Sequence, residues 1–321
     1  MAGEQVECDL TLCIVVTDAG APLQRTIDAL VQIEAPKDSF DVVVVDGTGG
    51  NATGVITWPP VLHHIEVTAP AGASLGAMYN LGWRAGNGVA VAFVAADAVV
   101  DPSWFAQITA ATRRGRRLVM GRWLPSTPSL PEAGPLSYRL WASPRDASLV
   151  PTGNFAVRRT DLEAVGGFEE SDADLDSTVL DLAARLVEDG VEPYRARHAV
   201  LLGDVPQWTI AEMLADRRRT AAAVEFLAER PIARSQLLAG GVIREGAQAQ
   251  LVLLLLGLAL SLRDRRYLAF TLPWLHGRTC TNPRAAGYKR RWFVLPGAFV
   301  MDGVETGLAV RARLRNALGR R

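Results

Sequence analysis

Three apolar runs in this sequence end at an acid. "LTLCIVV" (10–16) gives way to Thr17-Asp18, "DVVVV" (41–45) to Asp46-Gly47, and "AVAFVAA" (90–96) to Asp97. Carboxylates at the ends of buried strands are available to hold a divalent cation or to accept hydrogen bonds from a polar ligand. Asp101-Pro102, four residues on from Asp97, starts a turn. Asp97 reads either as a metal ligand or as a strand-end turn residue.

The elements around these acids have the order of an open α/β sheet. The Val run of 42–45 suggests a strand buried on both faces, as in a parallel sheet. "PLQRTIDALVQI" (22–33) has apolar residues near helical spacing, with Pro22 suited to a first turn. "ASLGAMYNLGWRAG" (73–86) and "SWFAQITAATRRG" (103–115) read as further helices, and "GVAVAFVAAD" (88–97) as a third strand. Such alternation predicts a mixed open sheet flanked by helices, with ligands at the carboxyl ends of its strands. "GNFAVRRTDLEAVGGF" (153–168) reads as a strand, then a helix stopped by Gly166-Gly167. A helix is expected over 176–190, with Asp176 as a candidate N-cap. Residues 124–151, rich in Pro and Ser, are expected to form a long loop over the sheet. The histidines His63, His64 and His198 have no partner motif.

Beyond residue 205 the pattern is helical, rich in Arg and Leu, without clear strands. The expected organisation is therefore an α/β domain over 1–205 and a helical region over 206–321. "LVLLLLGLALSL" (251–262) is too short to span a bilayer and suggests a buried helix or an interfacial hairpin. Residues 288–321 carry net charge plus six and mix leucines with arginines, suiting an anionic membrane surface or a solvated helix equally.

The 321 residues have zero formal net charge, which argues against nucleic acid as a partner. Cys8, Cys13 and Cys280 form no CxxC pair; Cys8 and Cys13, beside or within an apolar strand, read as small core residues, and a reducing, cytosolic setting fits. The start "MAGEQVECDL" has no basic segment followed by an apolar stretch, so no signal peptide is expected.

The landmarks over 10–205 resemble family-2 glycosyltransferases, which have the GT-A nucleotide-sugar-binding fold. The resemblance rests on "DVVVVD", on "GASLGAMYNLGWRAGNGVAVAFVAAD", on "DPSWF" and, best in order and spacing, on "TGNFAVRRTDLEAVGGFEES". It implies transfer of a sugar from a nucleotide diphosphate sugar to a glycan or lipid-linked acceptor. Thr17, Asp46, Gly47, Gly76, Asn80 and Asp97 would bind the nucleotide sugar, with Asp46 at the base, and Gly153 and Asn154 would shape the acceptor side. Asp97 would hold Mg²⁺ or Mn²⁺ across the phosphates. The apolar and basic tail looks like that of membrane-associated members, which implies a cytoplasmic protein peripheral on the inner face of the membrane.

The chain departs from the family pattern where the chemistry is most demanding. Ala95 stands where the first acid of the DxD motif belongs, and Thr178-Val179 where the acidic pair carrying the base belongs. Asp176 is the nearest upstream acid that could serve instead. Two readings follow: an active transferase, or a catalytically impaired relative that acts as a binding or partner subunit.

Overall fold

The computed structural model describes residues 8–20, 22–36, 38–126, 150–171 and 174–204. Beyond these it describes 215, 218, 222–223, 225–227, 229–237, 246–279, 295–296, 299–300, 302–304, 306–307 and 310–311. The chain divides into two compact units, 1–126 with 144–204, and 127–143 with 205–321.

The first unit is built on one eight-stranded sheet. Its strands are β1 (Leu10–Val16), β2 (Phe40–Asp46), β3 (His64–Thr68), β4 (Ala90–Val94), β5 (Val99–Val100), β6 (Leu118–Pro125), β7 (Asn154–Arg158) and β8 (Pro193–Gly203), in the spatial order β3-β2-β1-β4-β7-β6-β8-β5. The β3, β2, β1 and β4 strands are parallel, whereas β7 runs antiparallel between β4 and β6.

The Val run explains the parallel half. Val42 and Val44 pack on one face with Leu12, Ile14, Ile27 and Leu30, while Val43 and Val45 pack on the other with Met78. The helix α1 (Leu23–Val31) covers the first face and α2 (Leu75–Ala85) the second. A third helix, α3 (Trp104–Arg113), adds Trp104 and Ile108 to the α1 side. On the α2 side, Tyr79, Phe93, Phe155 and Phe168 form an aromatic cluster with centroids 4.7–5.4 Å apart. Two helices follow β7: α4 (Arg159–Ala164), stopped by Gly166 and Gly167 at positive φ as expected, and α5 (Leu175–Glu188).

Several local expectations change. The α5 helix begins at Leu175, so its N-cap is Asp174, which accepts the Ser177 amide at 3.0 Å; Asp176 lies inside the first turn. Strand β6 reaches Pro125, into the stretch expected as loop, and residues 127–149 of that stretch lie outside the described residues. The cysteines Cys8 and Cys13 are buried and unbridged; burial pushes the Cys8 thiol up to about 11 and the Cys13 thiol higher still.

The second unit contains α6 (Pro231–Leu237), α7 (Gly246–Ser261), a 3₁₀ segment (Arg265–Thr271) and α8 (Leu272–Thr279). Its small core joins Leu251, Leu254 and Trp274. The α7 helix is not buried all round: Val252, Leu253, Leu255, Leu256, Leu258 and Leu260 are exposed. No helix among the described residues is long and apolar enough to cross a membrane.

Candidate functional site

The sheet topology defines a crevice. From β1 the chain moves outward to β2 and β3, then crosses back over the sheet to place β4 on the far side of β1. The order therefore reverses between β1 and β4, and open α/β sheets bind ligands outside the carboxyl ends of the strands at such a point. Thr17 and Asp97 flank it. Thr17 is the exposed residue directly after β1, and Asp97 is half-buried three residues beyond β4. Asp46 ends β2 opposite Val16, so all three sequence landmarks share one edge of the sheet.

Asp46 supports this edge from inside. It is fully buried, and its carboxylate accepts from Thr48 N and Thr48 Oγ1, both at 2.6 Å. It also accepts from Ala52 N at 3.1 Å, Thr53 N at 2.9 Å and Thr53 Oγ1 at 3.1 Å. Burial opposes its ionisation, but the Thr48 and Thr53 hydrogen bonds outweigh that and hold the carboxyl down at about 2. Five donors use the acceptor capacity of a carboxylate, so Asp46 shapes the loop 47–53 rather than offering an oxygen to a base. Gly47 is exposed on that loop and donates its amide to Val16 O at 2.9 Å. A Cβ at Gly47 would stand 2.5 Å from Met78 Sδ and 3.1 Å from the Val16 carbonyl oxygen, so any larger residue there requires Met78 to move.

Two other residues expected on the ligand surface are structural. Asn80 is 2% exposed; its amide nitrogen donates to Phe168 O at 2.9 Å and Glu170 Oε1 at 2.8 Å, and its oxygen accepts from Trp83 Nε1 and Phe168 N, both at 2.9 Å. Three of these bonds fasten α2 to the segment before α5, and the Trp83 bond lies within α2. The same contact requires Gly76, since a Cβ there would collide with the Glu169 carbonyl oxygen. Asn154 is fully buried as well. Its oxygen accepts from Trp104 Nε1 at 2.9 Å, and its nitrogen donates to Arg122 O at 2.9 Å and Ala199 O at 3.2 Å. It ties β6 and β8 to α3 instead of facing an acceptor. Gly153, at φ +70°, lies against Ala95.

The position of the expected base is sealed. Thr178 is 2% exposed and donates its hydroxyl to Asp174 O at 2.9 Å, and Val179 is 1% exposed. Asp181 pairs with Arg185 Nε at 2.8 Å, whose Nη1 donates to Val165 O at 2.7 Å. Asp176 remains half-buried in the first turn of α5. Among the described residues no group of three His, Cys, Asp or Glu side chains is placed to hold a metal. Asp97 and the exposed Asp18 bring carboxylates to this edge, and an ion that arrives with the phosphates of its nucleotide keeps much of its water and needs few protein ligands.

Sequence reasoning missed a cavity of about 320 Å³, lined among the described residues by Met120, Gly121, Arg122, Arg195 and Arg197. The signal was Arg195 and Arg197 at strand spacing in a segment not recognised as a strand.

No family model and no curated protein matches the chain. Among solved structures, the mannosyltransferase PcManGT from Pyrobaculum calidifontis, in complex with GDP-Man and Mn2+, matches with a TM-score of 0.57 at 17% identity, over 99% of this chain and 89% of that one. The chain has a GT-A-like glycosyltransferase fold. The S. aureus TarS 1–349 fragment matches at a TM-score of 0.47 and 14% identity, over 97% of this chain and 92% of that one. The same fragment in complex with UDP-GlcNAc gives 0.47 and 13%, with the same coverage.

Proposed function

We propose that the chain is a glycosyltransferase of the family-2 type, moving a sugar from a nucleotide diphosphate sugar to a glycan or lipid-linked acceptor. The observation that carries this reading is the topological reversal between β1 and β4, with Thr17 and Asp97 on its two sides. The nucleotide would lie along the strand ends, with its base near Gly47 and the loop that Asp46 shapes. PcManGT was solved with a guanosine diphosphate sugar and Mn2+, and the proposal extends that donor class and a divalent cation to this chain.

Asp97 is the side chain that would hold the cation, which would neutralise charge building on the departing diphosphate. The acceptor oxygen attacks the anomeric carbon, the bond from that carbon to the diphosphate oxygen breaks, and the acceptor proton passes to a carboxylate. Asp176 is the residue proposed for that proton. Residues 1–205 would bind the donor. The helical region 206–321 would rest on an anionic membrane surface at the cytoplasmic side, through its basic segment and the exposed leucines of α7.

A second reading, a partner subunit without activity, is favoured by one observation. The two positions where the family carries its base are buried, with the Thr178 hydroxyl committed to Asp174 O.

Calorimetry with uridine and guanosine diphosphates, with and without Mn²⁺, tests the first reading. Metal-dependent binding that Asp97→Ala abolishes is the expected result. Failure to bind either nucleotide under any condition removes the donor site and leaves the partner reading.

A further inference from the structure

The first turn of α1 reaches two elements at once. Thr26 donates its hydroxyl to Ala96 O at 2.8 Å, and Arg25 donates from Nη1 to Asp204 Oδ2 at 2.9 Å. Ala96 directly precedes Asp97, and Asp204 directly follows β8. These two places meet because the sheet curls. Strand β5 pairs with β8 at Val99↔Leu202, at the far edge of the sheet from β3. Yet only the turn closed by Ala98 N on Ala95 O, at 3.2 Å, separates β5 from β4. The end of β8 therefore returns to the end of β4, and Arg25 stands on the Asp97 side of the β1–β4 crevice.

The ion pair aims one edge of a guanidinium. Ser126 donates its hydroxyl to Asp204 Oδ1 at 2.5 Å and its amide to Gly203 O at 2.9 Å, which fixes the carboxylate from its other side. Asp204 in turn holds only Nη1. The Nε–Nη2 edge of Arg25 has no partner among the described residues, and the side chain is 37% exposed. Arg117, by contrast, spends that same edge on Asp161. Such an edge matches two oxygens of a phosphate. We infer that Arg25 contacts the diphosphate of the donor, with Asp204 and Ser126 as its positioning residues. This rests on the transferase reading and adds to it. Where Ala95 withholds a carboxylate from a cation, a guanidinium supplies positive charge to the departing diphosphate directly.

The test is calorimetry on the full chain with uridine and guanosine diphosphates, with and without Mn²⁺, and with inorganic pyrophosphate. Arg25→Gln is expected to weaken all of these at least tenfold, in either metal condition. Arg113→Gln breaks a similar pair, with Asp9 Oδ2 at 2.8 Å, beside the opposite end of β1, and is expected to change nothing. Asp204→Asn should weaken binding about threefold or more in the wild-type background and have no further effect in Arg25→Gln, because it acts through the guanidinium. An equal effect in both backgrounds removes the positioning role. Nucleotide binding that survives Arg25→Gln, or falls equally in Arg113→Gln, overturns the contact and leaves the transferase reading standing. If wild type binds pyrophosphate through Arg25 but neither nucleotide, the transferase reading fails and the anion contact stands. Binding of no probe sinks both.

Discussion

Gly153 and Ala95 meet where β7 begins and β4 ends. The Ala95 amide donates to Gly153 O at 3.0 Å, and a Cβ on Gly153 would lie 2.6 Å from the Ala95 Cβ. The contact joins Ala95, where the family resemblance implies an acid, to the strand beside β6.

Two substitutions at this contact are expected to behave in opposite ways. Gly153→Ala forces a left-handed φ of +70° on an L side chain and drives it into Ala95, at a cost of about 2–3 kcal/mol. Ala95→Asp is different, because Ala95 is only half-buried and its backbone is not at a positive φ. It supplies a second carboxylate two residues from Asp97. Under the donor-site reading it should tighten Mn²⁺-dependent nucleotide binding several-fold while stability changes little. Calorimetry and urea unfolding on the two variants check both statements; unchanged metal dependence in Ala95→Asp would separate Asp97 from any cation site.

Asp46 makes the edge of the sheet acid-sensitive. Its carboxyl is held at about 2, against roughly 3.9 for an unperturbed Asp. A depressed carboxyl contributes stability that is fully present above its unfolded value and is lost as pH falls through its folded value. The contribution is about 2.5 kcal/mol. Wild type should therefore exceed Asp46→Asn by about this amount above pH ~4, with the gap closing between pH ~4 and ~2. Tryptophan-monitored urea unfolding across that range measures the gap; a gap that persists undiminished to the acid end contradicts the assignment.

The parallel half of the fold was legible because its signals are local. Val42–Val45, buried on both faces, and the Gly166-Gly167 stop each state their conformation in a few residues. The β8 strand was not legible because the four-residue bulge at Ala196–Ala199 breaks the alternation that identifies a strand. In the candidate site, the acids at the strand ends were visible, but their roles were not. The family resemblance implies ligand contacts for Asp46, Asn80 and Asn154. Carbonyls brought from distant segments reveal Asn80 and Asn154 as braces, and the amides of the loop that follows Asp46 reveal it as one.

Asn154 should behave as such a brace. Asn154→Ala leaves the Trp104 indole N–H and the Arg122 and Ala199 carbonyls without this partner, at about 1–3 kcal/mol for each group left unsatisfied. Asn154→Asp keeps an acceptor for Trp104 but sets a carboxylate against two carbonyl oxygens, so it should be no better tolerated. Both variants should unfold at lower urea. Nucleotide affinity of the folded fraction should be unchanged. A nucleotide affinity that falls with intact stability would return Asn154 to the ligand surface.

Under the membrane reading proposed above, the helical region would meet a surface in two ways, and salt separates them. The exposed leucines of α7 include Leu255 at 46% and Leu256 at 50%, and Arg263, Arg265 and Arg266 follow this helix. Apolar insertion is insensitive to ionic strength, whereas attraction of basic residues to anionic lipid fades as salt shortens the Debye length. Leu255→Asn/Leu256→Asn should remove the salt-resistant part of vesicle flotation, because two side chains lose about 1.5–3 kcal/mol each when they can no longer bury. Replacing Arg311, Arg313 and Arg315 by Gln should remove a salt-sensitive part, at roughly 1 kcal/mol per charge. If flotation is wholly salt-sensitive and the leucine variant floats as well as wild type, α7 is no membrane element and its exposed face serves another purpose.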